Sequence, residues 1–229
     1  MYVYAYAPFA LEGIIIRVEA DIRRGIPGID ISGLADGAVR EARERVRAAI
    51  RNSGYTFPQD RILVNLAPAG LKKDGPELDL PIAFAILAAA GLIPPPEGLM
   101  VLGELELSGA IRPVRGVVAA TAAGLAAGLR GFIVPRENRA EAEVLAPTRS
   151  AAVATLGEAI AALRHWHQHG AFPLTLNEAG PGPAACNGKV SQLNEAGPGP
   201  AARGNDIPPE DFSDVYGQER YKRALEIAA

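Results

Sequence analysis

Cysteine is nearly absent. The one residue, Cys186, cannot form a disulfide within the chain, and such usage fits a reducing compartment, so the expected location is the cytoplasm. Aromatic side chains are also few, at 6%, against 48% hydrophobic residues. A core must therefore be filled by Ala, Val, Leu and Ile. Long apolar runs are missing. The longest, "LPIAFAILAAAGLI" from Leu80 to Ile93, falls short of the roughly 18 residues a membrane helix needs, and three prolines follow it. No membrane association is expected. The N-terminal "MYVYAYAPFALEG" lacks the basic start and apolar centre of a signal peptide. Nor is positive charge in excess. With 23 Lys and Arg against 26 Asp and Glu, the net charge is -3. That excludes a uniformly basic nucleic-acid binder but leaves room for a local basic patch.

What is present is an alternation of strand and helix patterns. Val3 to Ala7, Gly13 to Ile22, "PGIDISGL" and "RILVNLAP" read as strands from β-branched content and alternation. A helix is predicted from Gly37 to Ser53, with Asp36 as N-cap and Gly54 as its stop. Val39, Ala42, Val46, Ala49 and Ile50 share one face of it. The stretch "GLKKDGPELDLPIAFAILAAAG", Gly70 to Gly91, reads as a loop, a Gly-Pro turn and a buried helix. "LMVLGELELSG" is predicted as one strand, with "AIRPV" as its hairpin partner. Helices are predicted at Gly116–Gly128, Glu137–Leu145 and Gly157–Gln168, with strands "GFIVP" and "AAVATL" between them. The expected class is α/β (α+β), one mixed domain over residues 1–169.

The pattern then stops. From Gly170 to Pro209 apolar periodicity is weak, and "LNEAGPGPAA" occurs at Leu176 and again at Leu193. Two copies are too few for a solenoid, and Gly-Pro alternation opposes helix and strand. Residues 170–209 are expected to be a flexible, disordered linker. Periodicity returns in 210–229, where Glu219 to Ala229 reads as a helix opening a second domain.

Three groupings carry candidate chemistry. Arg40, Arg43, Arg47 and Arg51 fall within an arc of about 80° on the helix after Asp36. The arc suits tracking a phosphate backbone. It equally suits a solvated face, with Arg40–Glu44 and Glu41–Arg45 as spaced pairs. "HWHQH" places His165 and His169 four apart, the spacing of a metal pair, but no third ligand is near in sequence. A fraying helix end is the better reading, and no metal site is expected. "GPAACNGK", Gly182 to Lys189, superficially suggests a phosphate loop. It has five residues between its glycines, and Val190 stands where Ser or Thr is required.

Several stretches together resemble one family. "GLADGAVREARERVRAAIRNSG", "ILVNLAPAGLKKDGPELDLPIAFAILAA", "GELELSGAIRPVRGV" and "DFSDVYGQERYKRALEIAA" are similar to the Mg-chelatase-like AAA+ ATPases of the ComM/YifB type. The resemblance covers about Met1 to Thr155 and Asp211 to Ala229. It implies a Lon-protease-like domain of the ribosomal protein S5 domain 2-like class, then a linker and the start of an AAA+ module. In Lon-type proteases a catalytic serine follows K-D-G-P, and a lysine follows a G-E…G…P segment. By that alignment Glu77 takes the serine position and Val118 the lysine position, so neither half of a Ser-Lys dyad is present. A Lon-like peptidase is therefore disfavoured. Glu77 and Asp79 then read as first-turn acids near the positive end of the helix dipole. A chelatase subunit is disfavoured as well, because the family's chelatase ATPases begin near the AAA+ core.

The resemblance also implies that Val215, Tyr216, Gly217 and Gln218 border an adenine, with the phosphate loop expected beyond Ala229. ATP and Mg are expected cofactors of the full-length protein, and neither is expected to bind this chain. Expected partners are single-stranded or branched DNA and further copies in a hexamer. The implied role is a non-proteolytic accessory domain of a branch-migration helicase in recombination and natural transformation. The alternative is a structural assembly domain without DNA contact. Purified chain should release no phosphate from ATP with magnesium. Turnover above the protein-free rate would mean that a complete nucleotide site lies within these residues.

Overall fold

The computed structural model describes residues 1–8, 13–33, 37–70 and 76–173; side chains of 37–40 are outside that description. The expectations for Asp36, for the Lys72–Gly75 loop, for most of the linker and for 210–229 lie outside the described residues. Within them, nine strands and five helices alternate. The strands are β1 (Tyr2–Ala7), β2 (Ile14–Arg23), β3 (Gly28–Ser32), β4 (Arg61–Ala67), β5 (Leu99–Val101), β6 (Glu104–Leu105), β7 (Ile111–Arg112), β8 (Gly131–Pro135) and β9 (Ser150–Val153). The helices are α1 (Gly37–Asn52), α2 (Asp79–Ala89), α3 (Val117–Ala126), α4 (Arg139–Glu143) and α5 (Leu156–His169).

Seven strands form one sheet in the order β3-β4-β2-β1-β5-β8-β9. The β2 pairings to β1 and β4 are antiparallel, and the other four are parallel. Alternation along the strands separates two cores, as a pleat with period two requires. Leu99 and Val101 of β5, and Ile133 of β8, join the layer containing α1, α2 and α5. Met100, Phe132 and Val134 point the other way, toward α3 and α4. α2 is apolar almost all round and lies fully inside, as such a helix must.

One expected strand divides. "LMVLGELELSG" becomes β5 in the large sheet and β6 in a separate hairpin with β7. The backbone at Gly103 does the dividing. Its carbonyl accepts from Leu80 N at 3.1 Å, and its N–H donates to the Glu77 carbonyl at 3.4 Å. Both groups are thus committed to the start of α2. A Cβ there would lie 2.8 Å from Ile111 Cγ2 at a φ of +154°, so only glycine fits.

The topology fixes where the arginine helix ends. β3 and β4 are parallel neighbours, and α1 connects them, so it runs antiparallel to both. Arg23, Gly28 and Arg61 stand level across β2, β3 and β4. The C-terminal turn of α1 therefore arrives at the same end of the sheet as the β2–β3 loop.

α3 approaches the sheet closely at Gly124. A Cβ there would fall 2.5 Å from Phe132 Cε1 and 3.3 Å from the Met100 methyl. Gly124→Ala should gain helix propensity yet lose more by overpacking, a net cost of about 1–2 kcal/mol in denaturant unfolding. A neutral result would mean that α3 can lift from β8 freely.

Candidate functional site

The positions that the Lon resemblance singles out lie on elements next to β1. Glu77 sits in a single 3-10 turn, Pro76–Leu78, packed beside β1 and leading into α2. Val118 is in the first turn of α3, 39% exposed, just past Gly116, whose left-handed backbone (φ 77°) opens the helix. Tyr6 near the end of β1 lies in the same core as Val117, and its ring is 3.8 Å from where a Gly116 Cβ would be. The side chains at 77 and 118, a carboxylate and an isopropyl group, supply neither a nucleophilic hydroxyl nor an amine to deprotonate it. The approach to α3 is held by Asn138. Its amide oxygen accepts from Val114 N at 2.9 Å, and its nitrogen donates to the Val114 carbonyl at 2.9 Å and to Glu141 at 2.6 Å.

Asp79 is in the first turn of α2, as the sequence suggested, but more than the helix dipole meets its charge. It is fully buried and takes a two-pronged contact from Arg45 of α1, Nε to Oδ2 at 2.8 Å and Nη2 to Oδ1 at 3.1 Å. The Leu105 N–H adds a third, longer bond at 3.4 Å. The solvated-face reading of α1 paired Arg45 with Glu41; Arg45 turns inward to Asp79, because a planar guanidinium can satisfy both oxygens of a buried carboxylate. Burial pushes the Asp79 carboxyl above its ordinary range, and the Arg45 guanidinium and the Leu105 amide pull against that rise. The pair joins α1, α2 and β6. A lone acid inside "LDLPIAFAILAA" was the sequence signal for a buried partner.

The arginine arc is less uniform than its wheel. Arg40 lies in α1, but its side chain is outside the described ones. Arg43 is exposed and donates to the Ile29 carbonyl of β3 at 3.5 Å. Arg51 is exposed in the last turn, where a cation favours the helix dipole. Arg47 departs from the expected exposed arc. It is half-buried, its guanidinium 5.2 Å from the centre of the Phe57 ring. The aromatic face attracts the cation and the apolar stem covers the ring. Phe57 returns from the loop after α1, which the wheel could not anticipate.

His165 and His169 stack at 4.2 Å, with Nδ1 against the Ala171 carbonyl at 2.9 Å and Nδ1 against the His165 carbonyl at 3.0 Å, respectively. Among the described residues no group of three or more His, Cys, Asp or Glu could hold a metal, and no helix is long and apolar enough to cross a membrane. The adenine-side candidates Val215, Tyr216, Gly217 and Gln218 fall outside the described residues.

Removing Arg45 should test the buried pair. Arg45→Met leaves Asp79 without its cation, at a cost of about 3–5 kcal/mol near neutral pH. The Asp79 carboxyl then rises further above its unfolded value. Its contribution is therefore fully present below the ordinary aspartate range and is lost as pH climbs through the raised value. The variant's deficit relative to the parent should shrink in mild acid, and Asp79→Asn added to it should recover stability. Urea unfolding at two pH values reads this; equal deficits at both would contradict the assignment.

Comparison with known proteins bears on the same elements. Residues 18–138, more than half of the chain, match the family described as subunit ChlI of Mg-chelatase. The chain is 36% identical to protein YifB of Salmonella typhimurium over 229 residues, 99% of this chain and 40% of that protein. It is 32% identical to competence protein ComM of Haemophilus influenzae, over 99% of this chain and 41% of that one. A Lon protease of Trichlorobacter lovleyi is 25% identical over 141 residues, 58% of this chain and 17% of the protease. The chain thus spans about two fifths of the length of the YifB and ComM relatives.

Proposed function

The chain belongs to the Mg-chelatase-like AAA+ family of the ComM/YifB type, and from that membership we propose that it is a Lon-like, non-proteolytic accessory domain for DNA engagement. The whole protein is then a hexameric, ATP-driven motor that promotes branch migration of recombination intermediates, including those of natural transformation. ATP and Mg act elsewhere in that protein. The present residues do not fit a nucleotide's phosphates, since the sequence holds no G-x-x-x-x-G-K followed by Ser or Thr, and no step is derived through them. Val215 to Gln218 remain an adenine-side proposal.

The observation that carries the reading is the C-terminal half of α1. Arg47 and Arg51 lie there with no acidic residue between Arg45 and Asn52, while Glu41 and Glu44 occupy the first half. Arg43 extends the arc toward β3. Phosphate contacts of this kind position nucleic acid without reading its sequence. The rival reading, an assembly domain without DNA contact, draws on the outer face of β2, β4 and β3. There Arg17–Glu19, Arg23–Asp21 and Arg61–Asp30 form a charge-balanced surface.

A salt series separates the two. Single-stranded and branched DNA should bind the chain with a steep salt dependence. Arg43→Ala with Arg51→Ala spares the Arg47–Phe57 contact and so should leave folding intact. Each lost phosphate contact should reduce the slope of log affinity against log salt by about 0.7–0.9, for all sequences alike. An unchanged affinity and slope would put the assembly reading first.

A further inference from the structure

The most exposed large apolar side chain among the described residues is Ile26, at 87%. It sits in the β2–β3 loop, "RRGIPG", where Arg24, Gly25, Ile26 and Pro27 are all exposed. Both ends of the loop touch neighbouring parts of the chain. At its far end the Gly28 N–H donates to the Asp60 carbonyl at 3.4 Å. At its near end a Gly25 Cβ would lie 3.3 Å from Arg61 Cβ, so the backbone crosses directly over β4. Pro27 fixes its own φ and confines Ile26 to extended backbone. An isoleucine held this way keeps its side chain in water, with little entropy left to lose on insertion.

Within the loop the one charge, Arg24, is positive, and Asp60 borders the loop at Gly28. Arg23 and Arg61 are paired with Asp21 and Asp30. Arg24 makes no ion pair among the described residues, and no acid lies between Arg24 and Ile29. The chain direction brings Arg47 and Arg51 of α1 to this same end of the sheet, since Arg23, Gly28 and Arg61 are level there. An apolar tip next to Arg24, with the last turn of α1 at the same end of the sheet, matches a nucleic acid, whose phosphates attract the cations and whose base stack accepts an aliphatic wedge.

We propose that Ile26 is a wedge that enters the base stack at a duplex end or strand junction, with Arg24 and the C-terminal arginines of α1 holding the flanking phosphates. This rests on the DNA-engagement reading and deepens it. Arg24, Arg47 and Arg51 hold the backbone, and Ile26 disturbs the stack at the place where strands part. Aliphatic side chains at such steps unstack them partly and kink the duplex.

The test uses the full chain and a forked DNA carrying 2-aminopurine at the junction, with a continuous duplex of the same sequence as control. On binding the fork the parent should raise 2-aminopurine fluorescence, reporting an unstacked base. Ile26→Ser should fold with the parent's thermal midpoint, since the side chain packs on nothing. It should bind continuous duplex like the parent and with the same salt slope. It should lose the fluorescence rise and about tenfold in fork affinity, the scale of burying most of one isoleucine. Ile26→Leu should retain both. If the parent binds the fork with a salt-dependent affinity but no fluorescence change, the wedge is overturned while DNA engagement stands. If the parent binds no DNA, both fall. If instead Ile26→Ser loses only binding to anionic lipid vesicles, the loop serves a membrane surface and the wedge is overturned.

Discussion

The contact between Arg45 and Asp79 is the constraint from which most of this architecture follows. A carboxylate enters an otherwise apolar helix only if its charge is met inside, and one guanidinium meets both of its oxygens. That requirement fixes the rotation of α1, since Arg45 must face α2 while Val46, Ala49 and Ile50 pack into the same core. It fixes the start of α2 against β6 through the Leu105 amide. The 3-10 turn carrying Glu77 is attached to that start, and Gly103 bonds to it from the other side. Such a pair contributes less to net stability than its geometry suggests, because desolvation offsets much of the attraction. Its effect is on arrangement: other rotations of α1 would leave Asp79 buried and unpaired.

Two separate sets of contacts hold the starts of α2 and α3. The start of α2 is held by the backbone bonds of Gly103 with Glu77 and Leu80, and the start of α3 by the cluster that joins Val117 to Tyr6 of β1. None of those contacts uses the side chain at 77 or 118. Asn138 holds the loop before α3 whichever residue follows at 118.

Most of the element order was legible in the sequence because the strands are β-branched and short and the helices have a strong apolar face. Ala42, Val46, Ala49 and Ile50 were read as one face and are all buried. What was not legible depends on partners distant in sequence. The division of "LMVLGELELSG" needs the Leu80 amide. The inward turn of Arg45 needs Asp79, 34 positions later. The half-burial of Arg47 needs Phe57 to come back over the helix. A wheel contains only local geometry, and all three differences are tertiary.

These differences also redistribute the charge on which nucleic-acid binding would depend. Counted along the sequence, α1 looks basic throughout. With Arg45 neutralised by Asp79, its outward surface in the first half carries Glu41 and Glu44 beside Arg43, and little net field remains there. Positive charge is left concentrated in the last turns, on Arg47 and Arg51. Screening makes that location decisive, since at physiological salt a charge acts over about 8 Å. A phosphate backbone would be drawn most strongly to the C-terminal end of α1. The βαβ connection through α1 places that end beside the β2–β3 loop, where Arg24 is exposed. The buried ion pair, by removing one arginine from the surface, thus helps to decide where on the surface an anion would dock.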